Sequence, residues 1–243
     1  MKKTIFISGS SRGIGFGLAK KFKNIGYDVL LNSKNLKNLK IASKKLDNSD
    51  YFLGDVCNLK AVKKIFKQIK NKKKKIDVII CNYGNSDPKN NNLNFDHALK
   101  HNFYSAVNVV REGAKLLKKN NGKIICISSI CGVEVIKNAP IGYSLAKSLL
   151  NNYVKSISHH LAEDGISINA IAPGNILFKG SVWDKKIKKN KNKTLNYIKS
   201  VVPLKKFGSI ADIYELCEFI INNNSQFASG STYILDGAQT KKF

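Results

Sequence analysis

The stretch TIFISGSSRGIGFGLAKKFKN, residues 4–24, decides the fold of this chain. It opens with the apolar, β-branched run of a short strand, passes through a loop with Gly9, Gly13 and Gly15, and ends in a segment of helical periodicity. Glycines in such a loop let the backbone turn tightly and bring amides and a helix N-terminus close to a pyrophosphate. The stretch therefore predicts a strand, a phosphate-binding turn and a helix in succession.

The rest of the chain repeats this alternation. Further apolar runs predict strands at DVLLN from Asp28, DVIICN from Asp77, KIICIS from Lys123 and SINAIA from Ser167. Amphipathic segments predict helices at residues 15–24, 59–70, 98–117 and 143–161. Apolar strands separated by helices indicate a parallel sheet covered on both faces. We therefore predict an α/β fold of the Rossmann type, doubly wound, in a single domain of residues 1–243 with a small flap insert at residues 175–200.

The charge balance is strongly basic, with 42 Lys and Arg against 16 Asp and Glu and a net charge of +26. Arg12 and Arg111 are the only arginines, so the guanidinium fork that reads phosphates and bases is nearly absent. We interpret the lysines as a solvated surface and expect no specific nucleic-acid partner. No segment has the roughly 18 uninterrupted apolar residues of a membrane span. We therefore expect no membrane partner and a cytoplasmic protein.

Cysteines and histidines do not form a metal-binding pattern. No CxxC spacing links the five cysteines, which are Cys57, Cys81, Cys126, Cys131 and Cys217. Reduced thiols in a core are the interpretation that fits them. No carboxylate or cysteine cluster accompanies the four histidines, which are His97, His101, His159 and His160. We predict that these histidines lie on helix surfaces and that the protein holds no metal.

Seven motifs in order carry a resemblance to a known family. The glycine spacing is GxxxGxG, and it is followed by GDVCN (54–58), CNYG (81–84), HNF (101–103), ISSICG (127–132), GYSLAK (142–147) and NAIAPGNI (169–176). Together they resemble the short-chain dehydrogenase/reductase family over nearly the whole chain. The resemblance implies an oxidoreductase that interconverts a carbonyl and a secondary alcohol by hydride transfer with a nicotinamide cofactor.

The cofactor can be specified further from charge. Cofactors without the 2′-phosphate usually meet an acidic residue after the second strand, whereas this chain has Ser33 and Lys34 there. Lys34 and Arg12 would pair with a 2′-phosphate, so we predict NADP(H). The cofactor-binding residues implied by the resemblance are Gly9, Ser11, Arg12, Gly13, Ile14, Gly15, Ser33, Lys34, Asp55, Val56, Asn82, Gly84, Tyr143, Lys147, Pro173, Gly174 and Ile176.

The resemblance assigns catalysis to Asn102, Ser129, Tyr143 and Lys147. Tyr143 would protonate the carbonyl oxygen, Ser129 would hold that oxygen, and Asn102 would anchor a water that resupplies protons. Lowering a tyrosine pKa from about 10 to about 7 takes roughly 4 kcal/mol. One cation about 4 Å away, at an effective dielectric near 20, supplies roughly that amount. Lys147, one helical turn after Tyr143, is therefore expected to lower the pKa of the phenol and to hold the nicotinamide ribose.

Two residues depart from the family pattern. Tyr83 stands in place of the alanine of the family's Asn-Ala-Gly sequence, and its bulk narrows or lines the pocket. Phe178 stands where many members carry a threonine. Neither change removes a reacting group.

The substrate stays open between several classes. Reduction of a 3-oxoacyl thioester is the function that the resemblance favours. A keto-sugar or another small anionic ketone is the alternative, suggested by the lysines of the flap around Trp183. A non-catalytic NADP-binding regulator is the alternative of another class. The resemblance also implies a homotetramer or homodimer joined through the helices at 98–117 and 143–161, with YILDGAQT (233–240) at another interface.

Overall fold

The apolar runs of the sequence form one parallel sheet in the computed structural model, which describes residues 2–86, 92–117, 119, 121–223, 225 and 227–241. The strands are β1 Thr4–Ile7, β2 Asp28–Ser33, β3 Tyr51–Leu53, β4 Val78–Cys81, β5 Gly122–Ile127, β6 Ile166–Pro173 and β7 Thr232–Leu235. Their order is β3-β2-β1-β4-β5-β6-β7, and every neighbouring pair is parallel. This topology confirms the doubly wound fold.

Helices cover both faces of the sheet. They are α1 Gly13–Asn24, α2 Leu36–Lys44, α3 Leu59–Lys73, α4 Phe95–Leu99, α5 Ser105–Gly113, α6 Ile141–Glu163, α7 Val182–Lys189, α8 Lys191–Val201 and α9 Ile210–Asn222. Alternate strand residues point to opposite faces. In β1, Phe6 therefore joins the core beneath α3, α5 and α6, whereas Ile5 and Ile7 join the core beneath α1, α2 and α9. Each such fully buried side chain stabilises the fold by about 1.5–3 kcal/mol.

The structure differs from the sequence prediction in three places. The helix predicted at residues 98–117 is divided by a π-helical turn, Lys100–Tyr104, because the Asn102 amide and the Ser105 hydroxyl donate to the carbonyls of Ala98 and His101. The polar flap folds into α7 and α8. Strands β3 and β7 were not predicted; they are short and, unlike the four-residue strands β1 and β4, they are not buried along most of their length.

The strand order sets the place of the site. The chain leaves β3 at one edge and returns to the middle of the sheet as β4, beside β1. The connections that follow β1 and β4 therefore diverge and leave a crevice at the carboxyl ends of these two strands. The glycine turn after β1 and the CNYG motif after β4 both lie at this crevice.

Candidate active site and cofactor groove

The glycine turn after β1 has a conformation that side chains would prevent. Gly9 and Gly13 have φ angles of +63° and +61°, in the left-handed region. A Cβ on Gly15 would lie 2.6 Å from the carbonyl oxygen of Gly9 and 2.5 Å from the side-chain nitrogen Nδ2 of Asn82. The first turn of α1 is thereby pressed against the end of β1, with its backbone amides directed along the crevice.

Asn82 fastens this turn to the end of β4. Its Nδ2 donates to the carbonyls of Ser8 (3.0 Å) and Gly9 (3.2 Å). In return the Ser8 hydroxyl accepts from the backbone amides of Asn82 and Tyr83. Asn82 thus has a structural reason to follow β4: it fixes the shape of the glycine turn and closes the floor of the groove.

The charged end of the groove lies after β2. The hydroxyl of Ser11 donates to that of Ser33 at 3.0 Å, which places the glycine turn beside the end of β2. Lys34 Nζ lies 3.8 Å from Asp55 Oδ2, and both side chains are exposed. Arg12 is also exposed, at the first position before α1.

An anion fits this end of the groove. Asparagine and serine side chains cap the starts of α2, α3 and α9, whereas α1 begins at Arg12 without a side-chain cap. The amides of its first turn therefore remain directed at the groove, where the helix dipole favours negative charge. The glycine cradle and the two cations match a phosphorylated dinucleotide in shape and charge.

Several residues implied by the resemblance shape the groove through the backbone. The side chains of Val56 and Ile176 are buried, on opposite faces of the sheet, and Ile14 packs on the same core as Ile176. Pro173 ends β6, and a Cβ on Gly174 would lie 2.9 Å from Cβ of Asp236. Their spacing follows from packing, so their side chains do not line the groove as those of Ser33 and Lys34 do.

Ser129, Tyr143 and Lys147 meet at the carboxyl end of β5. The Ser129 hydroxyl accepts the amide proton of Cys131 at 3.2 Å and lies close enough to the phenol of Tyr143 to influence its pKa. Lys147 is 4% exposed, and its Nζ donates to the carbonyl of Ile127 at 2.8 Å. That Nζ lies 5.8 Å from the centroid of the Tyr143 ring.

Close backbone packing holds this cluster together. A Cβ on Gly132, in the 3-10 turn that follows Ser129, would lie 2.5 Å from the carbonyl carbon of Lys147. Asn151, one turn later on α6, donates to the carbonyl of Gly132 at 3.0 Å. Only glycine permits α6 to approach the end of β5 this closely. The approach brings Tyr143 and Lys147, on α6, next to Ser129.

Asn102 lies beside the cluster, separated from it by Gly84. Its side chain accepts from the amide of Asn85 at 2.8 Å and donates to the carbonyl of Asn85 at 2.9 Å. A Cβ on Gly84 would lie 3.0 Å from the Asn102 carbonyl oxygen and 3.5 Å from Lys147 Nζ. Asn102 therefore positions the backbone after β4. Because Gly84 has no side chain, the space between Asn102 and Lys147 stays open.

The flap begins beside the glycine turn. The Phe178 ring lies 3.4 Å from the position of a Cβ on Gly13, so the start of the flap contacts the glycine turn. Trp183 stacks on Tyr197 with ring centroids 5.7 Å apart, and Lys186 Nζ lies 4.4 Å from the Trp183 centroid. The exposed lysines of this segment include Lys185, Lys188 and Lys189.

The comparisons with known proteins decide the family. A family model described as enoyl-(acyl carrier protein) reductase matches residues 9–240. The chain belongs to the short-chain dehydrogenase/reductase family. It is 31% identical to the 3-oxoacyl-(acyl-carrier-protein) reductase FabG of Rickettsia typhi, with 97% of this chain and 95% of that protein covered. It is 27% identical to the same-named protein of Buchnera aphidicola subsp. Schizaphis graminum, over 97% and 96%.

A solved structure repeats the fold. The L-sorbose reductase of Gluconobacter frateurii, complexed with NADPH and L-sorbose, superposes with a TM-score of 0.88 at 24% identity, covering 100% of this chain and 98% of that one. The recognition made from seven short motifs is thus confirmed. The prediction of an oxidoreductase is confirmed at the level of the family.

The electrostatics of this short-chain dehydrogenase/reductase differ from the sequence expectation. Burial raises the pKa of Tyr143 above its ordinary value, and the Cys131 thiol adds to the rise, against an opposing hydrogen bond from Ser129. Burial also lowers the pKa of Lys147 to about 8. The expected net lowering of the Tyr143 pKa toward 7 is therefore not found in the chain by itself, because burial raises this pKa. Its cation donates to a backbone carbonyl, not to the phenol, and desolvation dominates both groups.

The histidines were predicted as surface residues, and two of them are not. His159 and His160 are exposed, but His97 and His101 are partly buried with ring centroids 4.2 Å apart. His101 Nδ1 lies 2.8 Å from the hydroxyl of Tyr83. The signal for this contact was present in the sequence as Tyr83, a bulky residue where the family has alanine.

Three further findings concern the described residues. Their His, Cys, Asp and Glu side chains form no group of three that could hold a metal ion. Within the same part of the chain, no helix combines the length and apolar character that crossing a membrane would require. All five cysteines have free thiols.

Proposed function

We propose that this protein is an NADP(H)-dependent oxidoreductase that interconverts a carbonyl and a secondary alcohol, with Tyr143 as the proton donor. The observation that carries the proposal is the cluster of Ser129, Tyr143 and Lys147 at the carboxyl end of β5, with Lys147 Nζ 5.8 Å from the centroid of the Tyr143 ring. The relatives named as reductases and the NADPH complex of L-sorbose reductase support the same reading.

The chain's residues would hold NADP(H) along the crevice. The turn from Gly9 to Gly15 and the first amides of α1 would bind the pyrophosphate. Arg12 and Lys34 would pair with the 2′-phosphate, because phosphate oxygens accept charge-assisted hydrogen bonds from both cations. The bound cofactor supplies the hydride. Lys147 would also contact the nicotinamide ribose.

Proton transfer falls to Tyr143. Because burial keeps its pKa raised, the phenol is protonated at neutral pH and can donate to a carbonyl oxygen. Ser129, close to the phenol, would hold that oxygen through its hydroxyl. Lys147, with a pKa of about 8, is mostly protonated at pH 7 and would stabilise the tyrosinate left after donation. Asn102 would anchor the water that resupplies the proton.

We propose a 3-oxoacyl thioester as the first substrate class, because the curated relatives carry that name. A keto-sugar or another small anionic ketone is the second candidate. It is favoured by the flap, where exposed lysines surround the Trp183 and Tyr197 stack.

NADPH oxidation at 340 nm tests these assignments with acetoacetyl-coenzyme A, a keto-sugar phosphate and neutral cyclohexanone as substrates. Turnover of acetoacetyl-coenzyme A with the greatest kcat/KM supports the thioester, and a greater value for the keto-sugar phosphate supports the second candidate. NADPH binding without turnover of any carbonyl in a broad panel would favour a non-catalytic regulator.

We also propose a homotetramer or homodimer joined through α5 and α6. Apolar side chains on these helices and the π turn remain exposed: Tyr104 by 51%, Leu145 by 55% and Leu149 by 43%. Such a patch is typical of a covered surface. Light scattering coupled to size-exclusion chromatography measures the assembly, and Leu145→Lys is expected to shift it toward smaller species.

A further inference from the structure

The proposed function gives Tyr83 no role, yet this residue lies between the end of β4 and the glycine turn after β1. Its backbone amide donates to the Ser8 hydroxyl at 3.2 Å, directly after Asn82. Its Cα, Cβ and Cδ2 lie 3.1, 3.1 and 3.2 Å from the position of a Cβ on Gly9. The ring is half-buried and forms one side of the glycine turn where the turn faces the end of β4.

A polar cluster fixes the far end of this ring. The Tyr83 hydroxyl lies 2.8 Å from His101 Nδ1, and Cys57 Sγ lies 3.4 Å from the same nitrogen. Burial, with smaller effects of His97 and Lys34, lowers the pKa of His101, so its ring is neutral at pH 7. Burial raises the pKa of the Cys57 thiol to about 12, so this thiol stays protonated at pH 7 and is not a nucleophile.

The cluster continues to the charged end of the groove. The amide of Cys57 donates to Asp55 Oδ1 at 2.9 Å, and Asp55 Oδ2 lies 3.8 Å from Lys34 Nζ. Through this cluster Tyr83 connects the glycine turn, which the proposed function gives to the pyrophosphate, with Lys34, which it gives to the 2′-phosphate.

We propose that Tyr83, held by His101, is a positioning residue that forms the side wall of the groove for the adenosine half of NADP(H). This inference rests on the proposed function, because it assumes that the groove takes this cofactor. It assigns to Tyr83 a contribution to cofactor affinity and none to the chemical step.

The test is the dissociation constant, measured by calorimetry, of NADPH and of its fragment adenosine 2′,5′-bisphosphate for the full-length protein. Tyr83→Ala removes the wall and is expected to weaken both ligands by about tenfold. Tyr83→Phe keeps the ring but loses the hydrogen bond, and about a fivefold loss is expected. His101→Ala should match Tyr83→Phe, and the double variant should be no weaker than either single one, because both remove the same bond.

Controls separate the possible failures. Tyr51→Ala changes an exposed tyrosine at the amino end of β3, away from the groove, and should leave both constants within about twofold. Thermal unfolding without ligand reports any purely structural role: a lowered Tm of Tyr83→Phe with unchanged binding constants would overturn the inference. So would weaker binding of NADPH with unchanged binding of the fragment, or tighter binding by Tyr83→Ala. If the wild-type protein does not bind NADPH, the proposed function itself fails.

Discussion

Lys147 and Lys123 are both 4% exposed, and they lie at opposite ends of the strand β5. Lys123, near its start, donates to the carbonyl of Asn223 at 3.1 Å, and Lys147 donates to the carbonyl of Ile127 at its end. Burial lowers the pKa of each. Only Lys147 has a phenol and a serine hydroxyl beside it. A buried lysine thus lies at each end of this strand, and the proposed function uses only the one that has hydroxyl groups beside it.

The largest expected effect is on Tyr143. Tyr143→Phe removes the proton donor while keeping the ring, and kcat for the best carbonyl substrate should fall by about 10³-fold. The NADPH dissociation constant should stay within about threefold. Tyr153→Phe is the matched control, a half-buried tyrosine on the same helix, and should keep nearly full activity. Wild-type kcat in Tyr143→Phe would show that Tyr143 is not the proton donor. The functional difference between the Lys147 and Lys123 ends of β5 would then be lost.

The paired substitutions Lys147→Met and Lys123→Met test the comparison itself. Lys147→Met should lower kcat by about 10²-fold or more, because the cation that stabilises the tyrosinate is lost. Lys123→Met should keep kcat within about twofold. Steady-state kinetics at pH 7 measures both, and equal losses in the two variants would show that burial alone, not the neighbouring hydroxyls, distinguishes these lysines from the rest.

Lys147→Met should also stabilise the protein against unfolding. A pKa of about 8 in the folded state against 10.5 unfolded costs wild type on the order of 3 kcal/mol below pH 8. Lys147→Met relieves this cost and loses one hydrogen bond worth about 1 kcal/mol. Urea unfolding at pH 7 should therefore show a gain of about 2 kcal/mol.

The pH dependence has a defined sign. Below pH 8 the lysine is protonated in both states, and the cost is complete. As the pH rises from about 8 toward 10.5, the folded protein releases a proton that the unfolded chain still holds, so wild type gains stability. The advantage of Lys147→Met should shrink across this range, and an advantage that grows with pH would contradict the buried-cation account.

A smaller effect is expected at the exposed cations. Lys34→Glu reverses a charge near the predicted 2′-phosphate and should lower the preference for NADPH over NADH by about tenfold. Lys37→Glu makes the same charge change on α2, away from Asp55, and should leave the preference unchanged. The ratio of the two kcat/KM values is the measurement. An unchanged ratio in Lys34→Glu would remove Lys34 from the cofactor site.

The smallest effect belongs to the flap. Salt at 1 M shortens the screening length to about 3 Å, so KM for an anionic substrate should rise about threefold while KM for a neutral ketone stays constant. Lys185→Gln combined with Lys189→Gln should reduce this salt dependence. Lys63→Gln combined with Lys67→Gln, exposed on α3, should not. Equal salt dependence for both substrates would make the flap lysines a solvated surface only.

Much of this molecule could be predicted from its sequence, because periodicity and motif order are local. The glycine turn, four helices and five strands follow from residue spacing, and the order of seven motifs implied the family. The π turn at Lys100–Tyr104 could not be predicted, because it depends on which backbone carbonyls Asn102 and Ser105 reach. The short strands β3 and β7 exist through pairing with β2 and β6.

The sequence by itself determined the alternation of strands and helices and the glycine turn, because these depend on residues close together in the chain. It also predicted Ser129, Tyr143 and Lys147 as catalytic residues, from short motifs. Only the tertiary structure decided the protonation of these groups and the partner of Tyr83. Desolvation and hydrogen bonding depend on what surrounds an atom in three dimensions, and residues as distant in sequence as Tyr83 and His101 become neighbours only when the sheet and its helices pack.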